Sequence, residues 1–113
     1  MSKYKAIRTN GYSSKKEAKR AAELKLLERS GAITGLQEQV VYILAPSVVV
    51  QGRKRPPIKY IADFVYFEHH VHFPHGSNDD YEIVEDCKGF RTPVYNLKRH
   101  LMKSVHGIEI KET

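Results

Sequence analysis

A chain of 113 residues with 41% apolar and 28% charged content reads as one soluble globular domain, residues 1–113, with a real but modest core. No apolar run approaches the ~20 residues of a membrane span, the basic N-terminus lacks the apolar stretch of a secretory signal, and the single cysteine, Cys87, suits a reducing cytoplasm. The formal charge of +6, from 19 Lys+Arg against 13 Asp+Glu, fits a polyanionic partner, nucleic acid first; the plainer reading is a basic solvated surface.

The first twelve residues are basic and polar and end near a turn signal, Asn10-Gly11. Ser14-Lys15-Lys16-Glu17 has the form of a capping box, with Ser14 as N-cap and Glu17 at the third helical position. Glu17, Ala21, Leu24 and Glu28 follow at helical spacing, Ala18, Ala22 and Leu26 form the adjoining stripe, and Gly31 ends the helix. Leu36 to Leu44 predicts a strand with Val40, Tyr42 and Leu44 on one face and Val41 and Ile43 on the other. A short β run, Val48-Val49-Val50, precedes Gln51 to Pro57, a basic turn or loop whose prolines forbid central-strand pairing. Residues 58–69 predict a strand carrying Asp63, 74–80 a loop, and 81–88 the other arm of a long hairpin. Thr92 caps a last helix with Pro93 in its first position, an apolar stripe of Val94, Leu97, Leu101 and Val105, and Gly107 at its end; Ile108-Glu109-Ile110 predicts a short closing strand. The order is helix, three or four mostly antiparallel strands, helix, short strand: an α/β (α+β) fold.

The chemistry concentrates at Ile83-Val84-Glu85-Asp86-Cys87-Lys88-Gly89. Alternation points Val84, Asp86 and Lys88 one way and Ile83, Glu85 and Cys87 the other. Asp63, the one acid of the preceding strand, shares a face with Ile61 and Val65, where a carboxylate is costly unless a metal ion or cation pairs with it. Two carboxylates on adjacent strands suit Mg²⁺, which takes one or two and keeps several waters. A lysine beside them can orient or deprotonate a water or hold developing negative charge. The plain alternative is an ordinary Asp–Lys pair at a hairpin end.

Asp63, followed on the next strand by Asp86-Cys87-Lys88, resembles the PD-(D/E)XK nuclease superfamily, whose core is a helix, a three-to-four-stranded mixed sheet and a further helix. The chain more closely resembles small phage-borne proteins related to Holliday junction resolvases. The pieces that carry this are Ser14-Lys15-Lys16-Glu17-Ala18, Leu36-Gln37-Glu38-Gln39, Tyr60-Ile61-Ala62-Asp63-Phe64, Glu85-Asp86-Cys87-Lys88-Gly89 and Thr92-Pro93-Val94-Tyr95. Together they cover about residues 12–105. The resemblance implies a restriction-endonuclease-like core and a metal-dependent phosphodiesterase acting on DNA. Asp63 and Asp86 would hold Mg²⁺ or Mn²⁺, Lys88 would serve the water, and Glu17 matches the first-helix acid that many members add. Ala62 stands where such families place a proline, and the double acid leaves Glu85 as an alternative ligand, with alternation favouring Asp86.

Arg53, Lys54 and Arg55 are candidate phosphate contacts, as is Lys98, one helical step beyond Tyr95; each is equally at home on a solvated surface. Gln39 is a candidate site-lining residue, and Cys87 reads as core. The histidines between His69 and His75 suit a solvated or DNA-contacting hairpin tip better than a zinc site. The expected function is an endonuclease for branched or junction DNA in phage recombination or DNA processing, in the cytoplasm of a bacterial host. Symmetric cutting of a four-way junction needs two active sites, hence a homodimer. Two alternatives stay open: a non-catalytic DNA-binding or regulatory module, and an interaction protein that blocks a host factor.

Overall fold

The computed structural model describes residues 12, 14–72, 77–87 and 90–113. Along the chain come α1 (Lys15–Ser30), β1 (Ile33–Ala45), β2 (Val48–Val50), β3 (Arg53–Arg55), β4 (Ile58–His72), β5 (Ser77–Asp86), α2 (Pro93–His106) and β6 (Lys111–Glu112). One sheet has the order β1-β4-β5-β6, and β2 pairs with β3 in a separate ribbon. Strand β6 runs parallel to β5, with Glu85 opposite Lys111 and Asp86 opposite Glu112. The link from β4 to β5 is far too short for a parallel crossover, so that pair is antiparallel and the sheet mixed. This is the α+β class that the sequence predicts.

The chain divides into two compact units, Met1–Leu36 with Tyr66–Glu82 and Gln37–Val65 with Ile83–Thr113. In the first, α1 starts where the Ser14 hydroxyl accepts the amide of Glu17 at 3.1 Å and stops at Gly31, whose φ of 88° is left-handed. Its inward face is Glu17, Ala21 and Leu24. The adjoining stripe does not go inside: Ala22 and Leu26 are exposed. Each lies two positions from Leu24, about 200° round the helix. Glu28, near the helix end, accepts the Leu36 amide at 2.8 Å. Gly35 (φ +65°) is required twice over, since a Cβ there would also stand 3.3 Å from the Phe67 ring.

The second unit is built on a cluster of Leu44, Tyr60, Ala62, Val65, Val84, Tyr95, Met102 and Ile110. Val40 and Tyr42 pack against it, while Val41 and Ile43 are exposed, as the period of two requires. Helix α2 has the predicted ends: Thr92 Oγ1 accepts the Tyr95 amide at 3.0 Å, Pro93 opens the first turn, and Gly107 closes it with φ 69°. Its buried face is not the predicted one. Val94, Leu97 and Val105 are exposed, Leu101 is half-buried, and Tyr95 and Met102 go inside. Tyr95 and Met102 are two helical turns apart on one face, and the Tyr95 hydroxyl finds an acceptor in Glu112 at 2.8 Å, so its large ring can be buried without an unsatisfied oxygen.

Several boundaries depart from the sequence reading: β1 runs Ile33–Ala45 instead of 36–44, and β4 runs on to His72 instead of 69. Arg53–Arg55 is strand, not loop: Val48, Val49 and Val50 pair antiparallel with Arg55, Lys54 and Arg53, turning at Gln51-Gly52 with φ 50° and 76°. Two successive positive φ angles make a tight hairpin whose twist matches its strands, and the prolines fall just beyond it. Strand β5 starts at Ser77, before the expected 81, and ends at Asp86 instead of 88. The reason lies in Cys87, whose amide donates to the Asp63 carboxylate at 2.9 Å. The closing strand is Lys111–Glu112, because Ile110 is drawn into the cluster and Ile108 packs against it. Along β4, Tyr60, Ala62 and Phe64 are buried in alternation with the exposed Ile61 and half-buried Asp63, and Val65 beyond them is buried as well.

Candidate functional site

The second unit brings Asp63 and Asp86 to one end of the β4–β5 pair. Asp63 is half-buried on β4, with Oδ2 on the Cys87 amide. Asp86, the last residue of β5, is 2% exposed, and its Oδ2 accepts the Tyr60 hydroxyl at 2.5 Å. The Tyr60 phenol is pushed far above its usual range, first by burial, then by its hydrogen bond to Asp86, and further by the charges of Asp86, Tyr95 and Asp63. The two carboxylates thus brace the same stretch: Asp86 holds the Tyr60 hydroxyl, and Asp63 holds the amide of Cys87, the residue after Asp86. Tyr60 was not singled out by the sequence; its place three residues before Asp63 was the available signal.

Glu85 is fully buried, so it faces the opposite layer and not solvent. It accepts the Thr113 hydroxyl at 3.1 Å, and the Cys87 thiol lies 3.3 Å from the same hydroxyl. Next to it, Glu112 is gripped by Arg91, by the Tyr95 hydroxyl and, at 3.8 Å, by Arg99. Burial works against the Glu112 charge, but the Tyr95 and Arg91 hydrogen bonds and the two guanidiniums outweigh it and hold the carboxyl below its usual range. Desolvation, with the Glu112 hydrogen bond behind it, raises the Tyr95 phenol.

Glu17 belongs to the first unit, 6% exposed, on the buried face of α1. Lys88 lies outside the described residues, as do Asn10-Gly11 and His75. Among the described residues no three His, Cys, Asp or Glu side chains group to hold a metal ion. Arg53, Lys54 and Arg55 are exposed along β3. Gln39 is exposed with φ 55°, a kink in β1. His69 bonds Asp80 at 2.6 Å. Lys98 is half-buried and lines a groove of about 530 Å³ with Lys59, Tyr60 and Tyr95; Lys59 is a further cation that the sequence reading passed over.

Fold and site together define an α+β protein with one carboxylate at the end of β5 and a second within the neighbouring strand β4. The chain belongs to the family described as "Protein of unknown function (DUF1064)", matched over residues 1–112. Comparison with curated proteins and with solved structures gave no match. No described helix is long and apolar enough to cross a membrane.

Proposed function

We propose that the protein is a Mg²⁺- or Mn²⁺-dependent endonuclease that hydrolyses DNA phosphodiester bonds, selective for branched or junction structures, acting as a homodimer in the cytoplasm of a phage-infected bacterium. The observation that carries this reading is that Asp63 bonds the amide of Cys87, the residue next to Asp86, while Asp86 bonds Tyr60 on the strand that carries Asp63, so that two acids of adjacent strands are held at one place. The donor set fits the ion: the half-buried Asp63 and the buried Asp86 offer hard oxygen ligands, and Mg²⁺ uses one or two carboxylates. Asp63 and Asp86 would hold it. When bound, such an ion polarises the phosphate, acidifies a water and offsets transition-state charge.

The chain's own residues do the positioning. The Cys87 amide fixes one oxygen of Asp63, and the Tyr60 hydroxyl fixes one oxygen of Asp86, which leaves each carboxylate oriented by a rigid element. Lys88, two residues beyond Asp86, is the group that would orient the attacking water or meet the developing charge. Arg53, Lys54 and Arg55 would contact phosphates, which set register and not sequence.

The test is cleavage of a labelled four-way junction and of a linear duplex with Mg²⁺, Mn²⁺ or EDTA. Junction cutting with either metal, lost in EDTA, is expected. Binding without cutting under every condition would replace this reading with that of a non-catalytic DNA-binding module. One observation favours that second reading: each carboxylate also ties β4 to the end of β5, a job that needs no metal.

A further inference from the structure

The groove beside the carboxylates has a composition that the nuclease reading does not by itself require. Pro57, Lys59 and Tyr60 form one side, and Thr92, Tyr95 and Lys98 of α2 and its cap the other. None of its lining residues is acidic. Among the described residues neither Lys59 nor Lys98 has an ion-pair partner. A second cavity of about 420 Å³ on α2 makes the contrast. Its cations are already answered by acids: Lys103 stands 3.7 Å from Glu109, and Arg99 stands 3.8 Å from Glu112.

Two unanswered ammonium groups on one groove attract an anion, and their surroundings say which kind. Tyr60 lines the groove with its ring and reaches Asp86 with its hydroxyl, so whatever lies there is one side chain away from the acids. The positive charge does not stop at the groove. Arg55 is two residues before Pro57, and the exposed Arg53 and Lys54 precede it on β3. A small phosphate ester would use the two lysines and leave that row idle; an extended polyanion uses both. Half-burial of Lys98 also reduces the side-chain entropy lost when its ammonium is held against a phosphate.

We propose that this groove seats the backbone of the DNA strand flanking the carboxylates, with Lys59 and Lys98 as its phosphate contacts. The inference rests on the nuclease reading for the identity of the polyanion, but binding and cleavage are measured separately. Anisotropy of a labelled four-way junction, in EDTA and across a salt series, is compared for the parent, Lys59→Ala/Lys98→Ala, Lys59→Arg/Lys98→Arg and Lys103→Ala. Each lost phosphate contact lowers the slope of log K against log salt by about 0.9. The double alanine variant should therefore bind about tenfold weaker or worse at low salt, with the slope reduced by about two. The double arginine variant should keep the parent slope, as should Lys103→Ala. Where the parent also cuts, the double alanine variant should raise KM more than it lowers kcat.

If the parent binds and does not cut, and the double variant still loses affinity and slope, the groove stands and the nuclease reading falls. If the parent cuts and the double variant keeps its affinity and slope, the groove proposal falls and the nuclease reading stands. A parent that binds no DNA overturns the groove. Thermal melts of all four proteins keep misfolding from mimicking a loss.

Discussion

Glu85 and Asp86 are neighbours in the chain and almost equally buried, yet they serve different strands. Glu85 turns toward Thr113 beyond β6, and Asp86 turns toward Tyr60 on β4. The difference lies in what else is within reach. Glu85 accepts the Thr113 hydroxyl, which also lies against the Cys87 thiol. Asp86 accepts the phenol of Tyr60, three residues before Asp63 on the next strand, and Asp63 in turn holds the amide that follows Asp86. Backbone alternation alone separates a pair of identical charges into one acid that bonds the residue after the edge strand and one that bonds the strand carrying a second acid, Asp63. That contrast is why the metal reading attaches to Asp86 and Asp63, and not to Glu85.

The contrast breaks most sharply by substitution. Under the nuclease reading, Asp63→Asn or Asp86→Asn removes a ligand to an ion that stabilises the transition state by several kcal/mol. Cleavage of a four-way junction should fall by about a thousandfold or more, while circular dichroism and DNA affinity stay near the parent. Equal rates for parent and both variants would remove these residues from the site. Tyr60→Phe should come next. It deletes a buried hydrogen bond to a carboxylate, worth about 1.5–3 kcal/mol in denaturant melts, and frees Asp86 to swing, which should cost about 10–100-fold in cleavage. Glu85→Gln should do far less. The amide oxygen still accepts from Thr113, so stability should drop by about 1 kcal/mol and cleavage should hold. A Glu85→Gln variant as dead as Asp86→Asn would reverse the assignment of the two acids.

The capped ends of both helices were legible in the chain, because Ser14, Thr92, Pro93 and the two closing glycines act through local geometry that needs no partner. The strands carrying Asp63 and Asp86 were legible too, and so was their adjacency. What failed was whatever depends on a distant acceptor. The α2 stripe was read from Val94, Leu97, Leu101 and Val105, all apolar at the right period; only Leu101 packs against the core, because the helix is turned by a tyrosine whose oxygen is satisfied by Glu112, seventeen residues on. The end of β5 was misplaced because the Cys87 amide leaves the ladder for Asp63, a bond between residues twenty-four apart. The Gln51-Gly52 hairpin was hidden by Pro56 and Pro57, read as breakers although they fall after the ribbon has closed.

The smallest expected effect separates the two faces by pH. Glu112 ties β6, which pairs with β5, to Arg91 and to Tyr95 and Arg99 of α2, and its carboxyl sits below the usual range in the fold. The unfolded chain therefore takes up that proton first as pH falls. The stability it contributes is present above the ordinary value of about 4.5 and is lost as pH drops through the folded value. Arg91 is largely exposed, so solvent screening limits the contribution to a fraction of a kcal/mol. Tyr60 and Tyr95 run the other way. Their phenols are held up in the fold, so the unfolded chain loses those protons first as pH rises past about 10, and stability falls on the alkaline side. Melting temperature against pH should therefore show Glu112→Gln flattening the acid limb alone and Tyr60→Phe flattening the alkaline limb alone. If Glu112→Gln leaves the acid limb unchanged, the arginine grip on β6 carries no stability, and the edge that faces Glu85 is held by packing instead.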